Sequence, residues 1–527
     1  MWEKINNSSL LFSKSFIENK QNLSVYSNRI FFHRMYFYFI NKGYYRIIIN
    51  SVINLFITNF MVFFLLFLFN CVDYKGIVML SNESDLKYFI NMDNLFKLNW
   101  FFMSVLSLFL FLDILKIISI LDDVYIFSNI RKFYNNNLKI RDSELEYLEW
   151  NEILEIYRDS VDKEINPYYI NSIITIKDNY FIALLDHNVI RPIHLNNLFE
   201  WNLIYCIIYS FIDNKEKVSD KLFKQSKTIQ HSMRDRLKAV AIMTMVFMPV
   251  IIVFITFYNL FNYGEQFYNK PDLFISKNFN RLAKLKFRNY NELSHCFENR
   301  MDDLNEKTKK YYLSFKNKIL EACLKLIIFV FSSVFITLLI LTIINDNILT
   351  NLNIVGDRNV LWFIGIFGSL IALARSVINS RSKNNPVDIM EQISELIIID
   401  KNFIENANMR IIRNKFLKNY NFKITQIFTD IFWTFLIPIQ MWSMSYDTNY
   451  IVNFVKQISK NNTQIGLICT FADFENNSEV DHYESLLQNS EKILFDKKRV
   501  FSYDKFIKIY PNCLNLNIKQ STQINVI

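Results

Sequence analysis

Glycine is scarce, and its scarcity bounds the chemistry this chain can host. The seven glycines among 527 residues are Gly43, Gly76, Gly264, Gly356, Gly365, Gly368 and Gly466. No two stand five apart ahead of Lys-Ser/Thr, which excludes a phosphate-cradling P-loop. No two stand four apart, which excludes a G-x-S-x-G nucleophile elbow. A dinucleotide fingerprint is equally out of reach. Gly365-x-x-Gly368 is not GxxxG and reads as a place of close helix packing. Histidine is as sparse: His33, His187, His194, His231, His295 and His482 contain no pair four apart, so H-E-x-x-H is absent. His187 and His194 could share a metal only through tertiary contact, and ordinary surface or hydrogen-bonded roles suit them better. The cysteines (Cys71, Cys206, Cys296, Cys323, Cys469, Cys513) form no C-x-x-C, so no zinc ribbon or thioredoxin motif is available. No cofactor, metal site or catalytic constellation is expected, and Asp122-Asp123 and Asp302-Asp303 read as solvated charge.

Nucleic acid is not expected as a partner either. The formal net charge is +9, but no RNP-like or basic-zipper pattern accompanies it. Residues 1–43 are polar, carry Lys4, Lys14, Lys20, Arg29, Arg34 and Lys42, and show no secretory leader. They are expected to form a cytosolic N-terminal segment, with the first apolar block acting as anchor.

Apolar sequence is what the chain has in quantity. Half of it is hydrophobic and 16% is aromatic. Six blocks approach the roughly 20 apolar residues that a helix needs to cross about 30 Å of hydrocarbon. They run Tyr44–Phe69, Leu98–Leu121, Ala239–Phe261, Leu324–Ile344, Val360–Ile378 and Ile424–Met444. Loop charge sorts them. Loop 70–97 balances Lys75, Lys87 and Lys97 against four acidic residues, carries the weak sequon Asn82-Glu83-Ser84, and reads as lumenal; so does loop 345–359. Basic residues flank blocks three and six: Arg234, Arg236 and Lys238 before the third, Lys270, Lys277, Arg281, Lys284, Lys286 and Arg288 after it, and Arg410, Arg413, Lys415, Lys418 and Lys423 before the sixth. These two blocks also hold central prolines, Pro249 and Pro438. Proline removes a backbone donor and breaks a helix, and a broken segment can dip into the membrane and return where protein or water satisfies its backbone; the alternative for each block is a kinked full span, and the basic flanks favour re-entry.

The expected fold is therefore an all-α membrane protein: four transmembrane helices plus two proline-broken re-entrant membrane helices over a helical cytosolic layer. Its parts are 44–121 (two spans and loop 70–97), 122–238 (cytosolic helices), 239–261 (re-entrant), 262–323 (cytosolic), 324–378 (two spans and loop 345–359), 379–423 (cytosolic helices), 424–446 (re-entrant) and 447–527 (a cytosolic region with a flexible tail after about Asn476). Within the layer, Asp142–Glu164 reads as surface helix ending near Pro167, and Ile389, Ile393, Leu396 and Ile397 share one helical side. Both termini then lie in the cytosol.

Polar residues inside apolar blocks are costly and point to function. Asp113 and Lys116 lie one turn apart in the second block. Their ordinary role is to pair, or for Lys116 to snorkel toward the cytosolic face; their functional role is the hydrophilic side of a headgroup path. Asn54, Asn59, Ser332, Ser333 and Thr337 either line the same interior or hydrogen-bond between helices. Arg375 either holds a lipid phosphate or anchors the fifth block.

Several strings occur in an order that resembles one family. Asn70-Cys71-Val72-Asp73-Tyr74 closes the first block, after Phe31-Phe32, Tyr36 and Lys42-Gly43. Asp178-Asn179-Tyr180-Phe181-Ile182-Ala183-Leu184-Leu185, Glu200-Trp201-Asn202-Leu203 and Met233-Arg234-Asp235-Arg236-Leu237-Lys238 follow. The longest runs Leu285-Lys286-Phe287-Arg288-Asn289-Tyr290-Asn291-Glu292-Leu293-Ser294-His295-Cys296-Phe297-Glu298-Asn299-Arg300, and Ala374-Arg375-Ser376-Val377-Ile378 closes the fifth block. Together, over about residues 29–475, they resemble the autophagy-related protein 9 family, with Cys71, Asp73, Tyr74, Asn291, Glu292 and His295 as signature positions.

The resemblance implies a homotrimer with four spans and two re-entrant helices per protomer. It implies ATP-independent scrambling of membrane phospholipids on Golgi-derived vesicles and at the phagophore assembly site, fed by a lipid-transfer protein of the autophagy-related protein 2 type. Arg234, Arg236, Lys238, Lys270, Lys284, Lys286, Arg288, Arg375, Asp113 and Lys116 are the lipid-path candidates. After the third block, Phe267-Tyr268-Asn269-Lys270-Pro271 keeps one cation where relatives can carry a denser charged cluster. The alternatives are an ion channel or solute transporter using the same interior, which lacks an acidic ring or inverted repeat, and an inert scaffold for autophagosome assembly.

Overall fold

The computed structural model describes residues 29–78, 89–92, 100–161, 166–213, 217–219, 221–269, 276–315, 318–344, 353–355, 358–379, 385–462, 465–474 and 489–510. Helix α1 (Arg29–Ile40) is followed by α2 (Tyr44–Cys71), the short α3 (Tyr74–Val78) and α4 (Trp100–Phe133). A polar stretch then supplies α5 (Trp150–Ser160), α6 (Pro167–Asp186), α7 (Asn197–Leu203), α8 (Tyr209–Phe211) and α9 (Lys221–Lys224). The long α10 (Ser226–Asn269) leads to β1 (Lys277–Phe279), α11 (Arg281–Phe287) and α12 (Ser294–Ser314). An apolar hairpin follows: α13 (Lys318–Ile344), the strand pair β2 (Asn353–Val355) and β3 (Arg358–Asn359), and α14 (Val360–Asn379). The rest is α15 (Pro386–Ser394), α16 (Lys401–Glu405), α17 (Arg410–Phe416), β4 (Tyr420–Phe422), α18 (Lys423–Thr434), α19 (Ile437–Met444), α20 (Thr448–Gln457), β5 (Ser459–Asn462), β6 (Gly466–Cys469) and α21 (Asn489–Ile509).

Among the described residues, three helices are long and apolar enough to cross a membrane: Tyr44–Cys71, Ser226–Asn262 and Ala322–Ile344. Val360–Ala372 is a shorter apolar helix, and the 34-residue α4 carries the second apolar block. Their outward side chains are largely exposed Phe, Ile and Leu. Polar sequence folds differently. There asparagine is a capping residue: Asn166, Asn196, Asn280 and Asn385 each accept a backbone N–H at a helix start, which fixes where α6, α7, α11 and α15 begin. Glu149 and Glu152 form a capping box on α5. The surface helix expected over 142–164 is thus α5 with a 3-10 turn at Glu144–Glu146 before it, and Pro167 starts the next helix.

Packing of these polar-stretch helices makes one layer with two cores. The larger surrounds α6, whose residues are buried on nearly every side. The smaller gathers Phe279, Leu304 and Tyr311 around Ile389, Ile393 and Ile397, the stripe expected from its spacing. Alpha1 is a correction to the polar N-terminal segment. Its Phe31, Phe32, Met35, Tyr36, Tyr38 and Phe39 are buried in the larger core; a short aromatic run between polar flanks has too little length to register as a block. The chain turns out of α1 at Gly43, whose φ of 109° suits glycine, and a Cβ there would lie 3.1 Å from Asp142 Cβ.

Blocks three and six differ from each other. Pro249 lies inside the continuous 44-residue α10, so the expected break at that proline does not form. An interior proline forfeits one hydrogen bond, but opening the helix in apolar surroundings would leave more backbone groups unpaired. The sixth block is broken: α18 ends at Thr434, α19 starts at Ile437, and Pro438 sits in the first turn of α19, where a missing N–H costs nothing. Both blocks nonetheless have both flanks in the same layer. Ile229, Met233 and Leu237 at the start of α10 are buried in the larger core, and β1 after it pairs antiparallel with β4. Beta4 precedes α18, and α20 after α19 buries Ile451, Val452 and Val455.

The tail expected to be flexible after Asn476 contains α21, a second correction. Lys498, Ser502, Phe506 and Tyr510 are buried against the layer. Lys498 donates to Asp186 at 2.6 Å and to the Lys286 carbonyl at 2.9 Å, and Tyr290 also donates to Asp186. Burial pushes the Asp186 carboxyl up and the Lys498 amine down, so the pair depends on both partners. Lys498→Met leaves a buried carboxylate and should cost about 3–5 kcal/mol, read as a drop of several degrees in the apparent Tm of purified protein. The Lys498→Met/Asp186→Asn double variant should recover most of it; equal losses in the two would refute the coupling.

Candidate functional site

A polar seam runs between α2 and α4. Arg131 lies over the Tyr45 ring at 4.7 Å near one end of the pair. About four turns (~22 Å) farther along α4, Lys116 Nζ donates to Thr58 Oγ1 at 3.3 Å. Lys116 and Thr58 each sit near the middle of their helix. The pairing with Asp113 does not form among the described residues, although Asp113 lies half-buried a turn away. Thr58 also bonds back to the Asn54 carbonyl, Asn59 to the Leu55 carbonyl and Ser51 to the Ile47 carbonyl. These bonds run back along α2 itself, while Lys116 to Thr58 ties α2 to α4.

Helices α13 and α14 offer less. Ser332, Ser333 and Thr337 all bond to carbonyls of α13 itself. Gly368 admits Phe335 of α13, which would stand 3.3 Å from an added Cβ. The packing role expected of Gly365-x-x-Gly368 thus falls to Gly368 alone, since a Cβ at Gly365 would meet nothing within 4 Å. Arg375 is exposed near the end of α14.

The cations before and after α10 scatter in role. Arg236 donates to the Tyr209 carbonyl at 3.0 Å, and Lys238 lies over the Trp442 ring at 5.5 Å, on α19. Arg234 is half-buried. Lys284 is half-buried among Arg281, Asp302, Lys423 and Glu298, with its amine pulled below the usual lysine range chiefly by burial. Lys286 is exposed. Lys270 lies outside the described residues. Arg288 corrects the expectation of a headgroup-facing cation: it is buried and donates to Asp178 at 2.7 Å, so its charge is spent inside the layer.

The signature positions fall in two places. Cys71 is buried at the end of α2, Asp73 accepts the Lys75 and Gly76 amides to start α3, and the Tyr74 hydroxyl reaches back to the Leu68 carbonyl. The others form a buried hub. Asn291 has a φ of 54°, a left-handed conformation that asparagine tolerates. Its side-chain oxygen accepts from Thr175 and Asn179, its amide donates to the Ala472 carbonyl at 2.7 Å, and its backbone N–H donates to Asn179 at 2.8 Å. Glu292 takes Arg300 on both oxygens at 2.6 Å. His295 Nδ1 lies 2.9 Å from the Tyr36 hydroxyl of α1. The residues gave no reason to name Asp186 or Lys498, and Asp178 and Arg300 stood in the family-like strings without a role.

The loop between α6 and α7 braces α18. His194 Nε2 lies 2.6 Å from Asp430, stacked on Trp433, and Asn196 donates to Thr434. His187 instead packs between Phe454 and Phe471, so the two histidines do not meet as a metal pair.

The family described as "Autophagy protein ATG9" matches residues 21–475. Autophagy-related protein 9 of Schizosaccharomyces pombe is 25% identical over 525 residues, which is 90% of this chain and 72% of that protein. The protein of that name from Dictyostelium discoideum is 27% identical over 465 residues, 84% of this chain and 66% of its own. The one from Saccharomyces cerevisiae is 23% identical over 476 residues, covering 84% and 47%. The chain therefore spans between about half and three quarters of the length of these relatives. The cryo-EM structure of Schizosaccharomyces pombe Atg9 shares the fold, with a TM-score of 0.64 at 23% identity over 85% of this chain and 98% of that one.

The hub makes stability depend on pH. Burial, with Lys498 near His187 and Lys42 near His295, lowers both imidazoles to about 4. An unfolded histidine binds its proton near pH 6.5, so the unfolded chain takes up more protons between the two values. Stability is fully present above about pH 7 and falls as pH drops through that window. The apparent Tm should decline between pH 7 and 5.5, and a His187→Phe/His295→Gln variant should show a flatter slope. An equally steep slope in the variant would refute the assignment.

Proposed function

This chain belongs to the autophagy protein ATG9 family, and from that membership we propose that it moves phospholipids between the leaflets of an autophagic membrane without ATP. The carrying observation is Lys116 bonded to Thr58 near the middle of two apolar helices. A cation at that depth is costly unless it serves a wet, polar path. A headgroup sliding along such a seam keeps polar partners while its tails stay in hydrocarbon, which lowers a barrier of many kcal/mol.

In this reading α2, α4, α13 and α14 cross the bilayer, the packed layer is cytosolic, and both termini lie on that side. The shared flanks of α10 and of α18–α19 support re-entry from the cytosol, with no turn at Pro249. Arg234, Arg236, Lys238 and Lys284 would stand near the cytosolic mouth, and Arg375 would attract phosphate at the end of α14. The chain would work as a homotrimer on Golgi-derived vesicles, re-equilibrating lipid delivered by an autophagy-related protein 2 type transfer protein, with no catalytic step of its own.

Purified protein in liposomes containing a fluorescent phospholipid is the direct test. Dithionite bleaches only the outer leaflet unless lipids exchange. With protein and no nucleotide, bleaching should proceed past the outer-leaflet share. Lys116→Leu should slow exchange by about tenfold, equal to ~1.4 kcal/mol on the barrier, and Lys116→Arg should retain most of it. Bleaching that stops at the outer-leaflet share sinks the proposal, and ion conductance in its place would favour a channel.

A further inference from the structure

Residues 409–435 carry two exposed stripes in succession along the chain, and the first of them, on α17, has no part in the lipid path. Alpha17 buries none of its residues. Its inner side, Phe416 with Leu417 just beyond, packs on the smaller core. Its outer side is Arg410, Ile411, Asn414 and Lys415, with Lys418 one turn on, all exposed, and Ile411 is 79% exposed. Between Asn406 and Thr429 the chain contains five cations and no Asp or Glu. Beta4 then runs straight into α18.

Alpha18, next in the chain, carries the second stripe, with different chemistry. Ile424, Phe428, Phe432 and Phe435 recur at helical spacing and all point outward, Phe428 at 68% exposure. The opposite side is tied down by Gln426 to the Asn278 carbonyl, by Asp430 to His194 and by Thr434 to Asn196. The phenylalanine stripe therefore cannot rotate inward. At 12 residues, α18 is ~18 Å long, too short to cross a bilayer. A basic stripe leading into an apolar aromatic stripe is the pattern of a segment lying at a headgroup boundary.

We propose that these stripes dock on the anionic leaflet of the membrane in which the chain itself sits, with Arg410, Lys415 and Lys418 against phosphate-bearing headgroups and the α18 phenylalanines in the acyl boundary. Charge complementarity selects an anionic over a neutral surface. Succession along the chain into the α18 stripe selects the chain's own membrane. The inference rests on the chain being a membrane protein, not on its moving lipids.

Hydrogen–deuterium exchange of the full chain in nanodiscs tests it. Peptides covering 409–418 should exchange at least about tenfold more slowly in discs containing phosphatidylserine than in phosphatidylcholine discs, and 1 M salt should erase the difference. Arg410→Glu/Lys415→Glu/Lys418→Glu should abolish the anionic-lipid protection while leaving the apparent Tm and lipid exchange in neutral liposomes unchanged. The corresponding glutamine triple guards against a misfolded charge reversal. Inorganic phosphate added to neutral discs should give no protection. Equal exchange in the two disc types, protection by phosphate alone, or protection that survives charge reversal overturns the proposal and leaves the face to an acidic protein segment. Failure of lipid exchange with protection intact would strike only the lipid-movement reading.

Discussion

The reciprocal amide contact between Asn179 and Asn291 is the interaction on which the packed layer depends. Both side chains are buried, and a buried amide without partners costs more than a made hydrogen bond returns. Asn291 resolves this by using its oxygen, its amide and its backbone N–H at once, on α6 and on the segment after β6. The arrangement needs the backbone at Asn291 to turn left-handed, which re-aims the flanking residues. Asn289 then bonds to Glu292, Glu292 holds Arg300, and Arg300 closes on the Phe287 and Leu396 carbonyls. One strained turn thereby joins α6, α11, α12 and the region after α15.

How much of this was legible in the residues depends on the kind of signal. Apolar blocks were readable because hydropathy sums over many positions, and the Ile389–Ile397 stripe because its period is unmixed. Alpha21 was not, since its buried stripe is Lys498, Ser502, Phe506 and Tyr510, and two of those four residues count as polar. Arg288 misled for a related reason. A basic residue in a basic stretch looks like a surface charge until its distant partner, Asp178, is known. The resemblance marked the right string but not its role, because a strip of signature residues does not say whether it faces lipid or core.

The prolines show the same limit from another side. Pro249 and Pro438 occupy similar positions in similar blocks, yet only the second marks a break. The difference lies in tertiary contacts. Near Pro438, Asp430 and Thr434 are held by His194 and Asn196, so the direction of α18 is set by the layer and the chain must bend to continue. Around Pro249 the described contacts are aromatic ones deeper in the helix bundle: Phe254 on Phe109, Phe257 on Phe69 and Phe261 on Phe64. None of those contacts requires a break at Pro249 itself, so the loss of one hydrogen bond there is the smaller cost.

The layer and the seam are not independent. Alpha1 bonds to the hub through Tyr36 and His295, and to α4 through Phe31 on Phe133 and Phe37 on Phe127. Its C-terminal turn at Gly43 sets the direction in which α2 leaves the layer. Both helices of the seam are therefore positioned by one short element that is itself locked into the hub. The 3.3 Å meeting of Lys116 with Thr58 occurs far from that anchor, where small changes in helix direction are amplified by length. A lysine with a long flexible stem tolerates such changes better than a short donor would, so the contact survives where a shorter side chain would lose it.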